Sequence, residues 1–226
     1  MRARYFTPES FDFLVDLAMN TNRDRFMENR QRCERTIRTP APNLFSDIAT
    51  DPATISPHFL ALPKKVGGSL LRMHRGGPFS RDKSPYKTGT EIQFRHEMGR
   101  DIPAPDFYLH IEKNSLGTGL WRTDSATMEK ICDAIIGKSD AWIAARDNSA
   151  FSKQFVLEGD SLKNAPRDYV RDRPAISDLK RKCFVAIAPI SDRRTTSSDF
   201  PGELVGQFSL AAPIKRFLCR VLELRF

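Results

Sequence analysis

The stretch DFYLHIEK, Asp106 to Lys113, decides the fold. Phe107, Leu109 and Ile111 alternate with Tyr108, His110 and Glu112. Successive side chains of an extended chain point to opposite faces, so the alternation predicts a strand with one apolar and one polar face. TEIQFRH, Thr90 to His96, repeats the pattern, with Ile92 and Phe94 set against Glu91, Gln93 and Arg95. A shorter alternation starts near Ser69, where Leu71 and Met73 interleave with Arg72 and His74. Gly117-Thr118-Gly119 leads into Leu120 and Trp121, read as a fourth strand. Pairing of the first three strands would gather Arg72, His74, Gln93, Arg95, Tyr108, His110 and Glu112 on one polar surface.

Outward from this centre the period changes to that of helices. At the start, Thr7 is placed to cap, Pro8 suits a first helical position, and Phe6 with Phe11 has the spacing of a hydrophobic staple. Phe11, Leu14, Val15 and Ala18 mark the inward face of that helix. Asn22 is placed to cap a second helix, with Phe26, Cys33 and Ile37 inward and pairs Glu28–Arg32 and Glu34–Arg38 at i,i+4. Thr39-Pro40-Ala41-Pro42 breaks or kinks it before a short helix around Leu44 to Ile48. Helical period returns at Ser125 with Met128, Ile131 and Ile135, and again around Trp142. A short helix containing Leu179 precedes the apolar strand CFVAIA, Cys183 to Ala188. The loop SDRRTTSSDFPG, 191–202, reads as flexible, and a helix pair divided at Pro213 closes the chain.

The expected fold class is therefore α+β, a mainly antiparallel sheet flanked by N-terminal and C-terminal helices. The expected organisation is one domain over 1–226, with a helical part about 6–50, a sheet about 66–122 and a helical or mixed part about 123–226. A chain of 226 residues with a 40% hydrophobic share can bury a core of that size. No apolar run is long enough to span a bilayer, and no signal core follows the basic start, so the expected location is cytoplasmic. Cys33, Cys132, Cys183 and Cys219 are far apart and fit no CxxC spacing, so they read as buried thiols. His58, His74, His96 and His110 make no HxH or HExxH pattern, and no metal or other cofactor is expected.

The net charge of +8 is concentrated locally. RMHRGGPFSRDKSPYKT, Arg72 to Thr88, holds five cations (Arg72, Arg75, Arg81, Lys83, Lys87) with His74 and one acid, Asp82. Gly76-Gly77-Pro78 allows backbone conformations that bring amides close to a ligand. Arginine grips phosphate or carboxylate through two parallel hydrogen bonds, and lysine adds a mobile point charge. The candidate ligand-binding set is Arg72, His74, Arg75, Arg81, Asp82, Lys83, Tyr86 and Lys87, with Asp82 orienting a cation. The same composition also fits a solvated loop whose cations pair with acids elsewhere. No GKS or GKT follows the glycines and no GxSxG occurs, so neither nucleotide phosphoryl transfer nor a serine-hydrolase elbow is supported. His110 and Tyr86 are the candidate proton carriers. His110 beside Glu112 has the chemistry of an acid/base group, and it also fits a half-buried sheet histidine bonded to backbone.

These residues resemble the family called domain of unknown function 2461. The resemblance runs over nearly the whole chain and is carried by NTNRDRFMENR (20–30), FSRDKSPYKT (79–88), DFYLHIE (106–112), GTGLW (117–121), GDSLKNAPRDY (159–169) and DLKRKCFVAIA (178–188). FSRDKSPYKT is its specific signature. The resemblance implies no established activity. It also implies an Arg-Asp pair and a further Arg just before the signature Phe, where this chain has Gly76 at the acid position and Pro78 at the Arg position, and an aromatic where it has Arg25. The expected function is a module binding a phosphorylated or other anionic small molecule through the basic loop. The alternatives are an enzyme on an anionic substrate, with Arg81, Lys83 and Lys87 as clamps, and a nucleic-acid-binding protein. No membrane partner is expected.

Overall fold

A computed structural model describes residues 5–19, 22–49, 55–62, 64, 67–71, 90–111, 115–121, 123–164 and 175–226. The N-terminal helices are α1 (Pro8–Met19), α2 (Arg23–Glu28) and α3 (Arg30–Cys33), the last running through a π-helical turn (Glu34–Arg38) into α4 (Pro40–Ala49). The sheet is built from β1 (Phe59–Leu60), β2 (Glu91–His96), β3 (Asp106–His110), β4 (Ser115–Leu120), β5 (Val156–Glu158) and β6 (Phe184–Pro189). Between and after the strands come α5 (Ser125–Gly137), α6 (Ser139–Arg146), α7 (Ser149–Gln154), α8 (Ile176–Leu179), α9 (Asp192–Thr195), α10 (Phe200–Leu210) and α11 (Ala212–Val221). All strand pairs are antiparallel, in the order β1-β2-β3-β4-β6-β5, and the fold is α+β.

The alternation read from sequence becomes the register of the sheet. Ile92 lies opposite Leu109 and Leu109 opposite Leu116; Phe94 lies opposite Phe107 and Phe107 opposite Thr118. This is the face the helices reach. Phe45 of α4 meets Phe94 edge-on at 6.1 Å, Phe208 of α10 meets Phe107 at 4.6 Å, and Trp142 of α6 meets Phe184 at 5.5 Å. One apolar cluster joins residues from Tyr5 to Leu218. Area buried at this scale supplies the main favourable term of folding.

Local rules explain most element ends. Thr7 N–H donates to Ser10 Oγ at 3.0 Å, and Ser10 Oγ–H passes the bond on to the Thr36 carbonyl at 2.9 Å, so one buried hydroxyl caps α1 and ties it to the π-helical turn. Asn22 caps α2 through the Arg25 amide at 2.8 Å, and Asp124 caps α5 through the Thr127 amide at 2.8 Å. Buried Asp178 accepts from Trp142 Nε1 (2.8 Å), Arg146 (2.7 Å) and Arg181 (3.0 Å), joining α6 and α8 to the chain entering β6.

Several expectations are corrected. The inward face of α1 is Ser10, Phe13, Leu14 and Leu17, while Val15 is 51% exposed. Glu34–Arg38 pairs at 3.3 Å, but Arg32 turns across to Asp16 and Glu9 of α1, and Glu28 pairs with Arg25. The prolines at 40 and 42 open α4 rather than delay it, since first-turn positions need no amide donor. The stretch 191–202 is ordered into α9 and the start of α10, anchored by fully buried Thr195 and Phe200. The last two helices do part at Ala211, with Pro213 in the first turn of α11. All four cysteines are buried free thiols.

Gly119 marks the tightest point of the sheet. Its φ is +127°, and a Cβ there would stand 1.9 Å from the Phe184 carbonyl oxygen across the β4–β6 pair. Gly119→Ala is expected to cost about 3 kcal/mol through combined strain and clash, read as a lowered urea midpoint with unchanged slope.

Candidate functional site

The face opposite the helices carries the polar row that parity demands. Glu91 lies opposite His110 and Gln93 opposite Tyr108, and His110 lies opposite Ser115 on the next strand. Gly117 lies beneath Tyr108, where a Cβ would already touch Ile187 at 3.3 Å and Tyr108 at 3.5 Å. His110 Nδ1 is 3.9 Å from Glu91 Oε1, a carboxylate neighbour across the strand pair. Glu112 lies outside the described residues, as do Gly76 and Pro78.

At the other end of the row Arg95 donates to Gln93 Oε1 at 3.1 Å, and Gln93 Nε2 donates to Asp106 Oδ2. Tyr108 O–H donates to the same oxygen at 3.3 Å, and the His96 amide donates to Asp106 Oδ1 at 3.0 Å. Asp106 is only 6% exposed, and burial pushes its carboxyl above the usual range against the pull of Lys215. Tyr108 is pushed far above its ordinary value by burial and then by Asp106, so the phenol stays a donor. Sequence reading placed Gln93, Arg95 and Tyr108 on this surface but gave Asp106 no role. Its signal is a carboxylate at the first position of an apolar strand, a costly placement unless hydrogen-bonded.

The stretch 72–89 lies outside the described residues, and with it Arg72, His74, Arg75, Arg81, Asp82, Lys83, Tyr86 and Lys87. Its described neighbours in sequence are fixed. Leu70 bridges Ile92, the Leu71 amide donates to the Glu91 carbonyl at 2.9 Å, and the Gln93 amide donates to the Ser69 carbonyl at 2.8 Å. Leu71 and Thr90 thus stand together at the end of β2 where Glu91 and His110 meet.

Across β3, sequence reading missed Lys215. It sits on α11 with no exposed surface, its Nζ 4.1 Å from the Phe107 ring centroid and 4.5 Å from that of Phe59, and with no hydrogen-bond partner among the described residues. Burial lowers its amine to about 7, opposed by the charge of Asp106. Lysine at an otherwise apolar helix position usually snorkels out, which is why the pattern hides it. Among the described residues no three His, Cys, Asp or Glu side chains are grouped to hold a metal, and no helix is long and apolar enough to cross a membrane.

Together these features define an α+β protein whose antiparallel sheet is faced by helices on one side and carries a charged and hydroxyl row on the other. The chain belongs to the DUF2461 family, described as a conserved hypothetical protein, whose model matches residues 9–217. No curated protein and no solved structure matches the chain.

Lys215 gives a pH test. Its folded value lies below the unfolded one, so between about pH 7 and the ordinary lysine range the unfolded chain holds a proton that the folded chain has released. Stability from this group therefore rises with pH across that window. The buried thiols Cys33, Cys132 and Cys219, pushed up to about 11, act in the opposite sense only above about pH 9. Urea titrations at pH 7, 8 and 9 should show the wild type gaining stability relative to Lys215→Met, by up to one proton's worth of dependence. A difference flat with pH would place the amine's titration outside this range.

Proposed function

We propose that this chain is a single-domain cytoplasmic module that binds a phosphorylated or otherwise anionic small molecule, using the basic stretch Arg72–Thr88 beside the polar row of β2 and β3. The observation that carries the reading is the register that puts Glu91, Gln93, Arg95, Tyr108 and His110 on one face, with Leu71 and Thr90 at its end. Charge supports it. The stretch and the row together contribute six cations, Arg72, Arg75, Arg81, Lys83, Lys87 and Arg95, against four acids, Asp82, Glu91, Asp106 and Glu112. Asp106 is already engaged by the His96 amide, Gln93 and Tyr108. Positive charge is left over, and an oxyanion is the partner that such charge favours.

An enzymatic version of the same site is favoured by one observation, the His110–Glu91 approach at 3.9 Å. A carboxylate at that distance helps an imidazole carry a proton near neutral pH. In that version Arg81, Lys83 and Lys87 hold the substrate's charge and His110 or Tyr86 moves the proton.

The test is thermal shift against nucleotides, sugar phosphates, polyphosphate and short RNA and DNA, on wild type and on Lys83→Ala with Lys87→Ala. One ligand class should raise the wild-type Tm, and the double variant should lose that rise while keeping its own Tm. If only polyphosphate and nucleic acid act, with an effect collapsing steeply as salt rises, the partner is a polyanion. A double variant that melts early while no ligand shifts the wild type makes the cations internal braces and removes the proposal.

A further inference from the structure

A separate cleft of about 310 Å³ lies on the helical side of the sheet, between α4, α10 and the segment 55–62. Its wall is apolar, including Ile48, Leu62, Phe94, Val205 and Phe208, and it is completed by Phe59 and Phe107. Those last two rings are also the ones against which the amine of Lys215 is packed, at 4.5 and 4.1 Å from their centroids. Thus one wall of an apolar cleft hides a fully buried amine that has donors to give and no acceptor among the described residues. Leaving such a group unbonded costs free energy that an arriving acceptor returns.

We propose that this cleft binds a small apolar molecule carrying one neutral carbonyl group, whose oxygen accepts the hydrogen bond that Lys215 Nζ lacks. The wall fixes the apolar body. Asp106 fixes the charge of the acceptor: its carboxylate already acts electrostatically on Lys215 from the first residue of β3, so a second carboxylate would meet like charge, whereas a carbonyl would not. Cys219, one turn along α11, is buried with its thiol held protonated and adds no competing anion. Access runs past Phe59. That ring is only partly buried, and it belongs to a two-residue edge strand held to β2 by two residue pairs, Phe59–His96 and Leu60–Arg95. Reaching the amine requires that ring to turn from its edge contacts with His96 and Phe226, while Phe107 stays held in the middle of the sheet.

The probes are acetophenone, which carries the carbonyl, and ethylbenzene, which has a similar shape without it. Their Kd values would be measured by ligand-observed NMR on wild type, Lys215→Met and Ala61→Leu, the last placing bulk in the cleft wall while leaving the lysine in place. The ratio of the ethylbenzene Kd to the acetophenone Kd should fall about tenfold in Lys215→Met, the effect of one hydrogen bond to a buried donor. Ala61→Leu should weaken both probes, keep the fold, and keep the wild-type Tm within a few degrees. A ratio unchanged by Lys215→Met, wild type that binds neither probe, or binding untouched by Ala61→Leu overturns the proposal. If Lys215→Met does not fold, Lys215→Leu and the same ratio decide the case.

Discussion

The register of β2 against β3 and β4 is the constraint on which everything else rests. Side chains alternate with period two, so a slip of one residue would send Ile92, Phe94, Phe107 and Leu109 out of the core and draw Glu91, Gln93 and Arg95 into it. The helices enforce the choice from one side: Phe45, Phe208 and Trp142 have partners only if Phe94, Phe107 and Phe184 face them. Gly119 enforces it along the next pair, because the β4–β6 approach leaves no room for a side chain there. Given that register, the polar row is a consequence and not an additional design.

The same register produces an unequal treatment of two buried charges on either side of β3. Asp106 begins the strand on the polar face and receives donors from Gln93, Tyr108 and the His96 amide, so its desolvation is largely offset. Lys215 approaches from α11 on the other side and, among the described residues, meets ring faces in place of a hydrogen-bond acceptor. Aromatic faces favour a cation through their quadrupole, but they accept no strong hydrogen bond. A buried pair of this kind is weak evidence for stability, since apolar residues of the same volume often serve as well.

Much of this was legible in sequence because period two and period 3.6 are physical projections of burial. Glu91–His96, Asp106–His110, Phe184–Ala188 and the helices around Ile131, Trp142 and Leu218 follow from apolar spacing alone. The edge strand Phe59–Leu60 was not legible, being too short to show a period, and neither was β5, whose Val156 and Glu158 are exposed. The serine- and threonine-rich run 191–202 looked like a loop because composition does not reveal that Thr195 and Phe200 are fully buried. On the polar face, parity found Gln93, Arg95, Tyr108 and His110, yet it could not name Glu91 as a neighbour of His110, since that depends on which strand residues stand opposite. Lys215 was invisible for a deeper reason: a lysine's burial is set by tertiary packing, and its local spacing on α11 says nothing of it.

The composition of the basic stretch bears on how its charge is held. The family resemblance implies an acid at Gly76 and an arginine at Pro78, which in relatives either complete a site or brace the loop. Replacing both leaves the net charge of the stretch unaltered while removing one internal acceptor, so five cations are left with Asp82 alone between Arg72 and Thr88. If that pair only braces the loop, glycine, which relaxes φ, and proline, which fixes it, replace charge pairing with backbone geometry. The difference lies between two fixed flanks, since the Leu71 amide is bonded to the Glu91 carbonyl and the Gln93 amide to the Ser69 carbonyl at the end of β2 where the row of Glu91 and His110 begins.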